Sequence, residues 1–91
     1  MIKQYVVQQA YTDNDKVSKY IDGKLENYSI MSYWQTEGYC KALEEQGYSK
    51  AYDLSELRKE IETAKQEYED ALEFYNKVKE KALVGTEESR E

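Results

Sequence analysis

The chain has 91 residues, 35% of them charged, with 19 acids against 13 bases and a net charge of −6. It contains no His and a single Cys, which excludes an imidazole base, a histidine pH switch, a His- or Cys-based zinc site and an intrachain disulfide. Its uncharged stretches, such as Tyr28 to Thr36, fall far short of the ~18 apolar residues of a membrane helix, and Met1-Ile2-Lys3-Gln4 opens no apolar leader. A soluble, cytoplasmic protein is therefore expected.

Residues 2–11 are rich in β-branched and aromatic types, with Tyr5, Val7, Gln9 and Tyr11 on one face at period two. A strand is expected there. Thr12-Asp13-Asn14-Asp15 is a turn cluster. Residues 16–21 set Val17 and Ile21 at strand alternation. Asp22-Gly23 then suits a type I′ hairpin, which needs positive φ at both central residues. A third short strand over 24–28 completes a meander. The competing reading of 13–22 is a short helix ended by Gly23, and the meander is favoured.

From 30 to 46 the period becomes helical, through Met31, Trp34, Gly38, Ala42 and Leu43, with Gly47 as the stop. Gly38 costs about 1 kcal/mol against Ala in mid-helix, so a close crossing by a backbone or a ring is expected beside it. Residues 48–52 are a short connection or an added edge strand.

The strongest signal runs over 54–83. Asp53 is a good N-cap and Glu56 completes a capping-box pattern. Leu54, Leu57, Ile61, Ala64, Tyr68, Ala71, Tyr75, Val78 and Ala82 then alternate steps of three and four, as an a/d seam does. A single helix of about 45 Å is expected, long enough to overhang its neighbours and pair with a second copy. Leu57, Ile61, Ala64, Tyr68, Ala71, Tyr75 and Val78 would form that self-association seam. From Gly85 onward the chain reads as an acidic, flexible tail.

The expected fold is α+β: a small N-terminal antiparallel sheet of two or three strands packed on two helices, the second long and amphipathic. One domain would span residues 1–84, followed by the tail over 85–91.

Candidate chemistry is sparse. Cys40 sits mid-helix with nothing to lower its pKa. The paired acids Glu44-Glu45, Glu60/Glu62, Glu69-Asp70 and Glu87-Glu88 fall on solvated faces, where nothing raises a carboxyl toward neutrality. Glu62, Glu69 and Glu73 share one helix side, without a loop to enclose a hard cation. The four glycines match no phosphate-cradling pattern. No enzyme, cofactor or metal is expected.

Charge is segregated. Residues 1–52 hold seven acids and six bases, and residues 53–91 hold twelve and seven. Acids near the start of a helix and Lys77, Lys79 and Lys81 near its end also simply complement its dipole. Read functionally, Glu62, Glu69, Asp70 and Glu73 form a carboxylate row able to imitate a phosphate backbone and occupy the basic, nucleic-acid-binding groove of a larger protein. Tyrosines bring contact area at low entropy cost, and Tyr33, Tyr48 and Tyr52 join the partner-binding set. In size and composition the whole chain is similar to small accessory proteins of phages and mobile elements, including anti-defence inhibitors. That resemblance rests on no motif and carries over no residue roles.

A non-enzymatic module that binds a basic protein partner is the leading expectation. A homodimer through the long helix is the alternative. Stacking of single-stranded bases on the tyrosines is a weaker third reading, because acids match the lysines. No membrane and no direct nucleic-acid partner are expected.

Overall fold

A computed structural model describes residues 1–86. The chain divides into two compact units, Met1–Ala51 and the segment from Tyr52 onward.

In the first unit, β1 (Lys3–Tyr11), β2 (Asn14–Ile21) and β3 (Lys24–Ser32) form an antiparallel meander. α1 (Tyr33–Glu45) follows, and β4 (Ser49–Lys50) returns to lie parallel to β1. The order β3-β2-β1-β4 makes a four-stranded mixed sheet. The β2–β3 turn is the one the sequence announces: Asp22 has φ 52° and Gly23 φ 82°, the pair of positive values a type I′ turn requires. Asp22 also latches the strand start, its Oδ1 accepting from the Ile2 N–H at 2.8 Å. Residues 13–22 are thus strand and turn, not helix.

α1 ends at a Schellman motif. The Tyr48 N–H donates to the Leu43 carbonyl at 3.0 Å and the Gly47 N–H to that of Glu44 at 3.1 Å, with Gly47 at φ 95°. The motif brings the residue after glycine against the last helical turn. Leu43 and Tyr48 accordingly join Tyr5 and Val17 in the buried core, with Val7, Met31, Tyr39 and Cys40 packed around them. Gly38 is exposed, and a methyl group there would meet nothing within 4 Å, so the close crossing expected beside it does not occur.

The second unit corrects the fold expected from sequence. There is no long C-terminal helix. α2 (Leu54–Thr63) stops, Ala64 turns extended at φ −67° and ψ 126°, and α3 (Tyr68–Val78) begins anew, followed by a 3-10 turn over Lys79–Lys81. Asp53 does cap α2, accepting from the N–H groups of Ser55 at 3.0 Å and Glu56 at 3.3 Å.

No glycine or proline marks the break, and the reason is tertiary. An isolated 30-residue rod would leave its whole apolar stripe in water. By doubling back, α2 and α3 pack on each other. Burying a Leu- or Ile-sized side chain contributes about 1.5–3 kcal/mol, whereas giving up helix at four ordinary residues costs tenths of a kcal/mol each. Thr63 helps end α2, its hydroxyl donating to the Lys59 carbonyl at 3.0 Å.

Arg58 ties the hairpin together, donating from Nε to the Tyr75 hydroxyl at 3.1 Å and from its terminal nitrogen to the Thr86 carbonyl at 3.1 Å. Tyr52 donates its N–H to the Lys81 carbonyl and accepts from Leu83. Leu54, Tyr75, Val78 and Leu83 are buried. Gly85 and Thr86, expected to begin a frayed tail, are anchored: Thr86 Oγ1 accepts from the Leu54 N–H at 3.3 Å. The rest of that tail, residues 87–91, lies outside the described residues.

Candidate interaction surfaces

On α1 the inward face is Thr36, Tyr39, Cys40 and Leu43. Thr36 belongs there because its hydroxyl donates to Asp15 at 2.9 Å, satisfying both groups as they leave water. That stripe turns the preceding residues outward. Trp34, read from sequence as part of the helix's apolar face, is 68% exposed, and Tyr33 is 61% exposed. The two rings meet edge to face with centroids 5.2 Å apart, a geometry aromatic quadrupoles favour. Local bonds fix where they stand. The Tyr33 N–H donates to the Asp13 carbonyl at 3.0 Å, and the Gln35 side chain accepts from the Ser32 N–H at 3.3 Å. Tyr11, also exposed, shares this end of the sheet through the Tyr11–Asn14–Ser32 register.

Beside α1 lies an open cleft of about 520 Å³ lined by Tyr5, Asp15, Cys40, Glu44 and Lys50 among others. Tyr5 donates its hydroxyl to Glu44 at 2.6 Å. Burial first, and then that bond, push the Tyr5 hydroxyl far above its ordinary range. Burial likewise raises the Cys40 thiol, so it is held protonated and is a poor nucleophile.

These shifts predict an alkaline instability. The folded state holds the Tyr5 proton more tightly than the unfolded chain, whose tyrosines ionise near about pH 10. The contribution is complete below that pH and falls away as pH rises above it. Urea titrations over the alkaline range should show a flatter decline for Tyr5→Phe than for the parent chain. An unchanged slope would contradict the assignment.

The other residues singled out from sequence are dispersed. Tyr48 is buried in the core, where its hydroxyl donates to Glu26 at 3.2 Å, and offers no partner surface. Tyr52 is half-buried and packs edge to face on Phe74, centroids 5.7 Å apart.

Glu62, Glu69, Asp70 and Glu73 are all exposed, but they do not form one row. Glu62 lies in the last turn of α2, while Glu69 and Asp70 occupy the first turn of α3 and Glu73 follows on that helix. The break instead draws Asp70 together with Glu60 and Glu67 around an open groove of about 440 Å³. The seam residues are split in the same way. Leu57 and Ile61 lie on α2, Ala64 is its C-cap, and Tyr68, Ala71, Tyr75 and Val78 lie on α3. Tyr75 and Val78 are buried, Leu57, Ile61, Ala64 and Ala71 half-buried and Tyr68 exposed, so the fold offers no continuous seam along a rod.

Among the described residues no three His, Cys, Asp or Glu side chains converge as metal ligands would. No helix there is long and apolar enough to cross a membrane. Comparison with protein-family models, with curated proteins and with solved structures finds no match to this chain.

Proposed function

We propose that the chain is a non-enzymatic protein-binding domain anchored by the Tyr33–Trp34 pair and directed to a partner with a basic surface. The exposure of the pair carries this reading. Two of the largest apolar side chains in the protein stand in water at the start of a helix whose core contacts are made by other residues. Trp and Tyr are the side chains that most often dominate binding energy when a partner covers them. The exposed carboxylates of Glu60, Glu67 and Asp70 support a basic partner, since a negative field speeds encounter with one. The held proton of Cys40 fits a role without covalent chemistry.

The test is capture of interacting proteins on the immobilised chain, followed by affinity measurements on the retained partner. Tyr33→Ala combined with Trp34→Ala should weaken binding by about thirtyfold or more, as loss of a hot spot does. It should leave the unfolding midpoint nearly unchanged, because both rings are exposed. Raised salt should slow association. Undiminished affinity of the double variant would overturn the proposal.

A further inference from the structure

The two edges of the sheet are treated differently. β4 is an edge of only two residues, both exposed and one of them Lys50, which is how proteins blunt an edge against pairing. β3 is nine residues long and its outer side pairs with no strand among the described residues. Its charges are confined to the start: Lys24, and Glu26 at an irregularity in the β2 register. Asn27-Tyr28-Ser29-Ile30-Met31-Ser32 then runs without a charge or a proline. On the face opposite α1, Leu25, Tyr28 and Ile30 stand 54%, 53% and 46% exposed.

We propose that β3 is a homodimerisation edge, pairing antiparallel with β3 of a second copy about a two-fold axis at Ser29. The occupant follows from the register. An antiparallel two-fold must pass through a residue, because paired side chains share a face. Centred on Tyr28, it would set Ile30 at the bulge of Glu26, whose carboxylate turns to Tyr48 on the α1 side, and leave Ile30 without an apolar mate. Centred on Ile30, it would set Tyr28 against Ser32. Centred on Ser29, it places Tyr28 of each copy opposite Ile30 of the other, two aromatic–β-branched pairs of the kind that stabilise sheets. Asn27 then faces Met31, and Glu26, whose carboxylate turns to Tyr48 on the α1 side, meets no like charge. Lys16, whose ammonium lies 4.5 Å from the Tyr28 ring centroid, is already engaged on that ring and caps the apolar pair. The result is an eight-stranded sheet continuous across the two-fold axis. The paired stretch ends at Ser32, next to the Tyr33–Trp34 pair.

Sedimentation equilibrium over about a hundredfold range of concentration should show a monomer–dimer equilibrium. Ile30→Lys, an exposed change that should leave the circular dichroism spectrum intact, should raise the dimer dissociation constant by about tenfold or more, through two lost pairs per dimer. In a Cys40→Ser background, Ser29→Cys should form an interchain disulfide under mild oxidation, because residues on the axis have Cα atoms about 4.5–5.5 Å apart. Leu25→Cys should not. A monomer throughout the range, a dimer indifferent to Ile30→Lys, or cross-linking at Leu25→Cys in preference to Ser29→Cys would overturn the proposal.

Discussion

Leu43→Ala should destabilise the first unit by about 3 kcal/mol, within the 2–5 kcal/mol seen when a buried Leu is truncated. Leu43 is 2% exposed and sits among Tyr5, Val17 and Tyr48. It is also the carbonyl acceptor of the Schellman turn, so its side chain holds the helix end and the following strand in one place. A unit of some fifty residues has only about 3–8 kcal/mol of stability on the usual per-residue scale. The loss therefore removes a large share of it, and the variant should unfold at a markedly lower urea concentration than the parent chain. Urea unfolding followed by far-ultraviolet circular dichroism measures this directly. Trp34 fluorescence does not, since that ring is exposed in both states. A loss below about 1 kcal/mol would mean that Leu43 is not the keystone described here.

Prolines at two positions should separate the hairpin from a rod. Lys59→Pro, in the interior of α2, removes a helical hydrogen bond and collides with the preceding turn, at a cost of about 3 kcal/mol or more. Lys65→Pro should cost less than about 1 kcal/mol, because proline is common just past a helix C-cap and restricts the residue before it to extended backbone. Ala64 already has that conformation, with ψ 126°. In an uninterrupted helix the two substitutions would be equally damaging. Similar losses at both sites would restore the rod.

What was legible in the sequence was local chemistry. Asp22-Gly23 dictates its turn, Gly47 its helix stop and Asp53 its cap, because each solves a backbone problem within a few residues. The meander over 3–32 follows from alternation between those turns, although β3 extends to Ser32 where a shorter strand was expected. What was not legible depends on distant partners. Residues 48–52 read equally as a connection or an edge strand, and Ser49–Lys50 is an edge strand because Gln4–Tyr5 is there to receive it. Thr36 reads as polar and so was not expected in the inward face of α1. Its partner, Asp15, lies two strands earlier, and missing it misassigned Trp34.

The break at Ala64 was hidden for a related reason. Two amphipathic helices joined in phase show the same three-and-four stepping as one, and nothing in Thr63-Ala64-Lys65-Gln66-Glu67 forbids a helix. Of the residues expected to meet a partner, Tyr33 stands exposed at the start of α1. Tyr48 was misjudged because the residue after a Schellman glycine is drawn into the core. Leu25, Tyr28 and Ile30 escaped notice because period two does not say which face of an edge strand is left open.

Both the carboxylate row and the helical dimer seam require a continuous helix, so the doubling back at Ala64 decides which surfaces remain for binding. Spin labels on Ser55→Cys and Lys79→Cys, in a Cys40→Ser background, measure it. A straight helix would separate these positions by about 36 Å. In the hairpin the start of α2 and the end of α3 come together, pinned by the hydrogen bond from Tyr52 to Lys81, and packed helices lie about 8–10 Å apart. With label arms included, the account predicts a distribution centred at about 10–20 Å. One centred near about 36 Å would contradict it and return the acidic row and the apolar seam to the surface.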